Sequence, residues 1–258
     1  MHNVNKELNE NDLSKIQTFS HSLGTLFWQI GVYSIIQIIA AVILMIISAG
    51  MIFSIIGETS LSVIFSIFQA AIWTILITSI ILEVVLYFFL FRLIRLLKGA
   101  EKQGIPYQDK YRKSALFFIA GIILGVILFV VAIFLTTWIL ELIWGIFNDP
   151  LFNVEDLEQI PSTDIISTLV GVGRIVLSLA GFYYLQRNFE QLDVYMQNGD
   201  KIVRGLRLLI SGYLLLILGD LIGLVVDLGS LLGLVGLILT IVGYFKASDG
   251  LKNTIWKL

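Results

Sequence analysis

Cysteine is absent from the 258 residues, histidine occurs twice, proline three times, and only 14% of residues are charged. Without cysteine there is no disulfide framework, no thiolate metal or iron–sulfur site and no thiol nucleophile. Both histidines, His2 and His21, lie in the polar N-terminal stretch. No HExxH, P-loop, G-x-S-x-G or paired-carboxylate metal pattern occurs. Gly171-Val172-Gly173 lacks the third glycine of a dinucleotide fingerprint and sits inside an apolar run. These absences leave no enzyme signature, imply no cofactor and give no reason to expect nucleic acid. The scarcity of charge, against about 25% in soluble domains, excludes an ordinary water-soluble fold.

Hydrophobic residues make up 57% of the chain. They are concentrated in segments at 26–49, 68–91, 114–138, 165–185, 206–226 and 231–245, the last being the shortest. A helix needs about 20 apolar residues to cross about 30 Å of hydrocarbon. The runs are continuous, whereas membrane strands alternate, so helices are expected. The expected fold is therefore all-α: a polytopic membrane bundle of six transmembrane helices in three hairpins. It divides into a polar N-terminus, 1–22, a transmembrane domain, 23–246, and a C-terminal tail, 247–258. The first 22 residues lack the basic start, short apolar core and small-residue cleavage site of a signal peptide, so the first apolar segment is expected to remain in the mature protein.

The placement of charge gives orientation. Of the 17 lysines and arginines, all but Arg174 fall in the N-terminus, 92–113, 186–207 or the C-terminal region, which six crossings put on one side. The opposite connections, at 57–60, 148–164 and 227–230, hold none. By the positive-inside rule the basic side, with both termini, is expected to be cytosolic. The basic segment 92–113 would sit against anionic headgroups or simply set topology. In the acidic connection 148–164, Leu151, Val154, Leu157 and Ile160 are spaced i, i+3 between Pro150 and Pro161. That pattern suggests a short surface helix, open either as an acidic mouth or as a solvated loop with one apolar stripe. The C-terminal 251–258 would form an interfacial turn.

Each even-numbered apolar segment exits through aromatic residues followed by a basic one: Phe91-Arg92, Tyr184-Leu185-Gln186-Arg187 and Tyr244-Phe245-Lys246. Aligning Arg92 with Arg187 also brings Arg112 onto Arg207. Either a parallel hairpin repeat or the common need for an interfacial anchor accounts for this. With the Gly-rich helices and exits such as Gly181-Phe182-Tyr183-Tyr184-Leu185 and Gly243-Tyr244-Phe245-Lys246, the chain resembles several prokaryotic multi-pass families catalogued as domains of unknown function. The resemblance covers most of the chain. It implies a prokaryotic inner-membrane protein and brings no activity, ligand or site residue with it.

Charges inside apolar helices are costly and are usually paired or functional. Glu83, Arg174 and Asp220 are the three that fall about 13 to 20 Å from a helix end, near mid-membrane. Arg174 is expected to pair with Asp220, whose depth matches best, or with Glu83. Gly171-Val172-Gly173, just before Arg174, is read either as a helix break or as a packing face. Three GxxxG spacings, Gly121/Gly125, Gly219/Gly223 and Gly229/Gly233, would let helices approach closely. Two functions follow: a non-enzymatic scaffold or accessory subunit, or a small proton- or ion-coupled transporter or channel using Glu83, Arg174 and Asp220. The expected partners are the lipid bilayer and a second copy or another membrane protein.

Overall fold

The computed structural model describes residues 10–54, 61–103, 105, 108–148, 163–197, 199–223 and 229–256. Six helices follow one another: α1 Glu10–Ser54, α2 Leu61–Lys102, α3 Gln108–Asn148, α4 Thr163–Leu192, α5 Gly199–Gly223 and α6 Gly229–Lys252. None of the six helices as described contains a proline, whose missing N–H and fixed φ would interrupt a helical ladder. Five helices, all but α4, are long and apolar enough to cross a membrane. The side chains of α4 are described only from Gly171 onward. The molecule is thus a membrane-embedded all-α bundle.

Each helix packs on its neighbours in sequence, and α6 closes back on α1, so the six form a ring. One end of the ring carries nearly all the basic residues. At that end a 3₁₀ turn, Asp193–Tyr195, leads into β1, Met196–Gln197, which pairs antiparallel with β2, Ile255–Trp256. This small ladder ties the α4–α5 connection to the chain beyond α6, where an interfacial turn was expected.

The helices outrun the apolar segments. α1 has 45 residues, α2 42 and α3 41, or about 60 to 70 Å at 1.5 Å per residue. The N-terminal 1–22, read as a polar tail, is helical from Glu10, and its Ile16 and Phe19 are buried. The expected basic loop 92–113 is mostly helix, since α2 runs to Lys102 and α3 starts at Gln108. The tail from 247 continues α6 to Lys252, with Ala247, Ser248 and Leu251 buried. In each case apolar residues at helical spacing persist among the charges and keep one face against the bundle. The surface helix expected within 148–164 lies outside the described residues.

The basic half is the packed half. Buried Leu23, Leu93, Leu97, Phe189, Ile202, Leu206 and Leu251 all lie toward that end, and exposed Ile36, Ile46, Phe53 and Phe134 lie toward the other. Exposed apolar side chains of this number suit lipid, not water.

The tightest contact is between α5 and α6, and glycine makes it. Gly205, Gly212 and Gly219 on α5, and Gly229, Gly236, Gly243 and Gly250 on α6, recur every seven residues. A Cβ on Gly212 would stand 2.7 Å from Gly236 O, one on Gly236 2.7 Å from Gly212 O, and one on Gly243 2.6 Å from Leu209 N. Backbone meets backbone, and no side chain fits between. A seven-residue period holds one face toward the partner along a left-handed pair. Gly24 and Gly31 on α1 repeat the spacing against Leu251 and Phe245 of α6, and Ser248 donates to the Gly24 carbonyl at 2.7 Å. Among the GxxxG spacings, Gly121 and Gly125 do face α4. Gly219 and Gly229 pack through the seven-residue series, and a Cβ on Gly233 would meet nothing within 4 Å.

Gly212→Leu should therefore destabilise the bundle by roughly 1–3 kcal/mol or more through overpacking. Gly233→Ala should leave it within about 0.5 kcal/mol of the parent. Thermal unfolding of both variants in detergent checks the contrast.

Candidate functional site

α2 and α4 are not adjacent in the ring, yet they meet through one pair of long side chains. Arg174 Nη1 of α4 forms an ion pair with Glu83 Oε1 of α2. The intervening helix lets them through: a Cβ on Gly125 of α3 would stand 3.2 Å from Arg174 Cδ and 3.1 Å from Tyr87 Cζ. The Glu83 side chain is 13% exposed and that of Arg174 30%, so both charges are largely withdrawn from solvent. A buried pair of this kind repays its desolvation only while both partners stay.

Asp220 takes the lesser part. It is exposed in the last turn of α5, which ends at Gly223. Its charge acts on Arg174 from a distance, without an ion pair. Of the two pairings left open by the sequence, the ion pair described is the one to Glu83. Depth counted along single helices equated Asp220 with Arg174, but reach across the bundle depends on which side chain α3 lets past. Gly171-Val172-Gly173 lies in unbroken α4, with Gly173 facing Leu124, so packing is the reading that holds for Gly173.

Tyrosines that no motif singled out complete the polar interior. Tyr87, one turn beyond Glu83, is buried beside Gly125. Tyr213 of α5 and Tyr244 of α6 share a hydrogen bond at 3.0 Å, and Tyr213 also feels the Arg174 charge. Tyr33 of α1 donates to the Leu82 carbonyl. Between these and the basic end stands Phe182 of α4, fully buried, with ring contacts to Phe27, Phe118, Tyr213 and Tyr244 at 5.0–6.2 Å. One aromatic side chain thereby touches four other helices. A polar residue within an otherwise apolar run, as at Tyr213, was the available signal for these positions.

A second charged group lies at the basic end, where α4 meets α5. Glu190 accepts from Gln186 Nε2 at 2.7 Å, Arg207 Nη2 at 3.1 Å and Arg187 Nη1 at 3.2 Å. Lys110 of α3 reaches Gln191 and the Arg187 carbonyl beside it. Burial alone would raise the Glu190 carboxyl's affinity for protons. The hydrogen bonds from Gln186, Arg207 and Arg187 outweigh it and hold the group below its ordinary value of 4.5. No group of three or more metal-binding side chains occurs among the described residues. Comparison of the chain with family models, with characterised proteins and with solved structures finds no match.

Arg174→Leu is expected to destabilise the fold by about 3 kcal/mol, because Glu83 is left without its partner. Adding Glu83→Gln should restore part of the loss and adding Asp220→Asn should restore none, as read by denaturant unfolding in micelles. For Glu190, a folded-state pKa below the unfolded one means stability present above pH 4.5 that is lost as pH falls through the folded value. Glu190→Gln should flatten that acid limb of a Tm-against-pH profile, by no more than about 1 kcal/mol for so accessible a network.

Proposed function

We propose that the protein is a non-enzymatic scaffold or accessory subunit of a prokaryotic inner membrane, multi-pass, with both termini cytosolic. The Glu83–Arg174 pair carries this reading: the deepest charges neutralise one another between α2 and α4 and hold helices together. The clefts at Arg92, at Glu190 and at Trp144 lie toward the two ends of the bundle and are lined by residues other than Glu83, Arg174 and Asp220. Long apolar faces on α1, α2 and α3 extend past the ends of α5 at Gly223 and α6 at Gly229. Such faces suit lipid, a second copy or another membrane protein. The basic end supplies the cytosolic orientation under the positive-inside rule and an attraction to anionic headgroups.

The alternative, a small proton- or ion-coupled transporter or channel using Glu83, Arg174 and Asp220, draws on one observation. Asp220 is exposed while its charge faces Arg174, so a bound cation or proton there would act on the pair.

Purified protein in vesicles loaded with a pH-sensitive dye separates the two. Under imposed proton and potassium gradients the scaffold reading expects fluxes equal to those of empty vesicles. A flux abolished by Asp220→Asn or Glu83→Gln would overturn it. The absence of cysteine makes topology simple to read: single Asn253→Cys and Glu141→Cys variants should label from the cytosolic and the external face respectively.

A further inference from the structure

The α1–α2 contact is the loosest in the ring, and at the basic end it opens into a cleft of about 640 Å³. Thr18 and Ser22 of α1 line one wall and Phe88, Phe91, Arg92 and Arg95 of α2 the other. The α2 residues are spaced i, i+3, i+4 and i+7, which stacks them on one helix face over about 10 Å. Along that face the chemistry changes from aromatic to cationic. Phe88 is 65% and Phe91 58% exposed, and both lie on the side of the apolar segment. Arg92 and Arg95 follow toward the basic end. Arg92 gives one N–H to Gln29 Oε1 at 3.0 Å, which fixes its position and leaves its other donors available. Arg95 makes no ion pair or hydrogen bond among the described residues. No carboxylate lines the cleft among those residues.

An occupant must therefore be apolar at one end and anionic at the other, with the change from one to the other falling at the edge of an apolar segment. We infer that the cleft between α1 and α2 seats one anionic phospholipid, its phosphate held by Arg92 and Arg95 and its acyl chains laid along Phe88 and Phe91. Arginine supplies planar, multiply donating contacts to phosphate oxygens. The Ser22 hydroxyl opposite offers a further polar partner for a glycerol or headgroup oxygen, whereas Thr18 gives its proton to the Ser14 carbonyl at 2.9 Å. This goes further than a general attraction of basic residues to a charged surface, because it names one seat and gives its occupant an orientation. It rests on the placement of the basic end at a membrane surface proposed above. Labelling of Asn253→Cys, outside the cleft, reads that placement separately, so the two can fail independently.

The test is native mass spectrometry of the protein released from micelles doped with phosphatidylglycerol or phosphatidylcholine. The parent should retain one phosphatidylglycerol in preference to phosphatidylcholine. Arg92→Gln with Arg95→Gln should weaken that retention about thirtyfold, or roughly fivefold for each arginine near an anionic lipid. Lys98→Gln with Lys201→Gln removes the same charge outside the cleft and should keep it. Equal retention of both lipids, or equal loss in the two double variants, would overturn the inference. So would displacement of the lipid by millimolar inorganic phosphate, which would mark a site for free anions. A second readout keeps the arginines: Phe88→Trp adds an indole whose emission should be quenched by brominated phosphatidylglycerol more than by brominated phosphatidylcholine. Equal quenching by the two would count against the seat as well.

Discussion

Backbone contact between α5 and α6 is the constraint from which the rest of the bundle follows. Hydrocarbon is as apolar as leucine, so lipid gives helices little reason to associate beyond close packing and polar contacts. Two seven-residue glycine series, Gly205 to Gly219 on α5 and Gly229 to Gly250 on α6, meet this requirement by bringing two ladders together with nothing between them. The resulting hairpin is a thin, dense plate. Gly24 and Gly31 let α1 lie against its α6 side, and Phe182 on α4 fills the space toward the centre. The ring closes because α6 meets α5 through its own glycines and meets α1 through Gly24 and Gly31 of α1.

Polar groups are then disposed according to where water can reach them. Glu190, Arg187, Arg207 and Lys110 form an open network at the basic end, where solvent screens each pair and many weak bonds share the load. Farther in, the only ion pair described is Glu83–Arg174, and it depends on α3 having no side chain at Gly125. The same physics explains why the tyrosine hydroxyls of Tyr213 and Tyr244 bond each other. An isolated hydroxyl in an apolar interior costs several times what a shared one does.

The division of the molecule into a packed basic half and an apolar far half bears on function. In the packed half, α1 and α2 continue well past the apolar segments and keep buried leucines against the core. In the far half, α1, α2 and α3 continue past Gly223 of α5 and Gly229 of α6 with exposed isoleucine and phenylalanine. A protein built this way presents a rigid base and broad apolar flanks, which is the form of a component that others rest against. The cleft at Arg92 sits where the two halves meet, so an amphiphile there would contact both.

By itself the sequence determined that this chain is a membrane-embedded bundle built on helices, six of them among the described residues. Length and apolarity decide those questions one segment at a time, and the segregation of sixteen of its 17 basic residues along the chain is the basis of the proposed orientation. It also contained the seven-residue glycine series, with which some of the shorter GxxxG spacings share a glycine. What only the tertiary structure decided was which charges meet. Arg174 lies within plausible depth of two carboxylates, and the choice of Glu83 depends on an absent side chain on a third helix, a relation no single segment expresses. Likewise the cleft on α2 exists because α1 packs loosely there, and the helical extension into the polar ends follows from a core that forms only once six helices surround it. Local chemistry sets each element; contact between elements far apart in the chain sets the site.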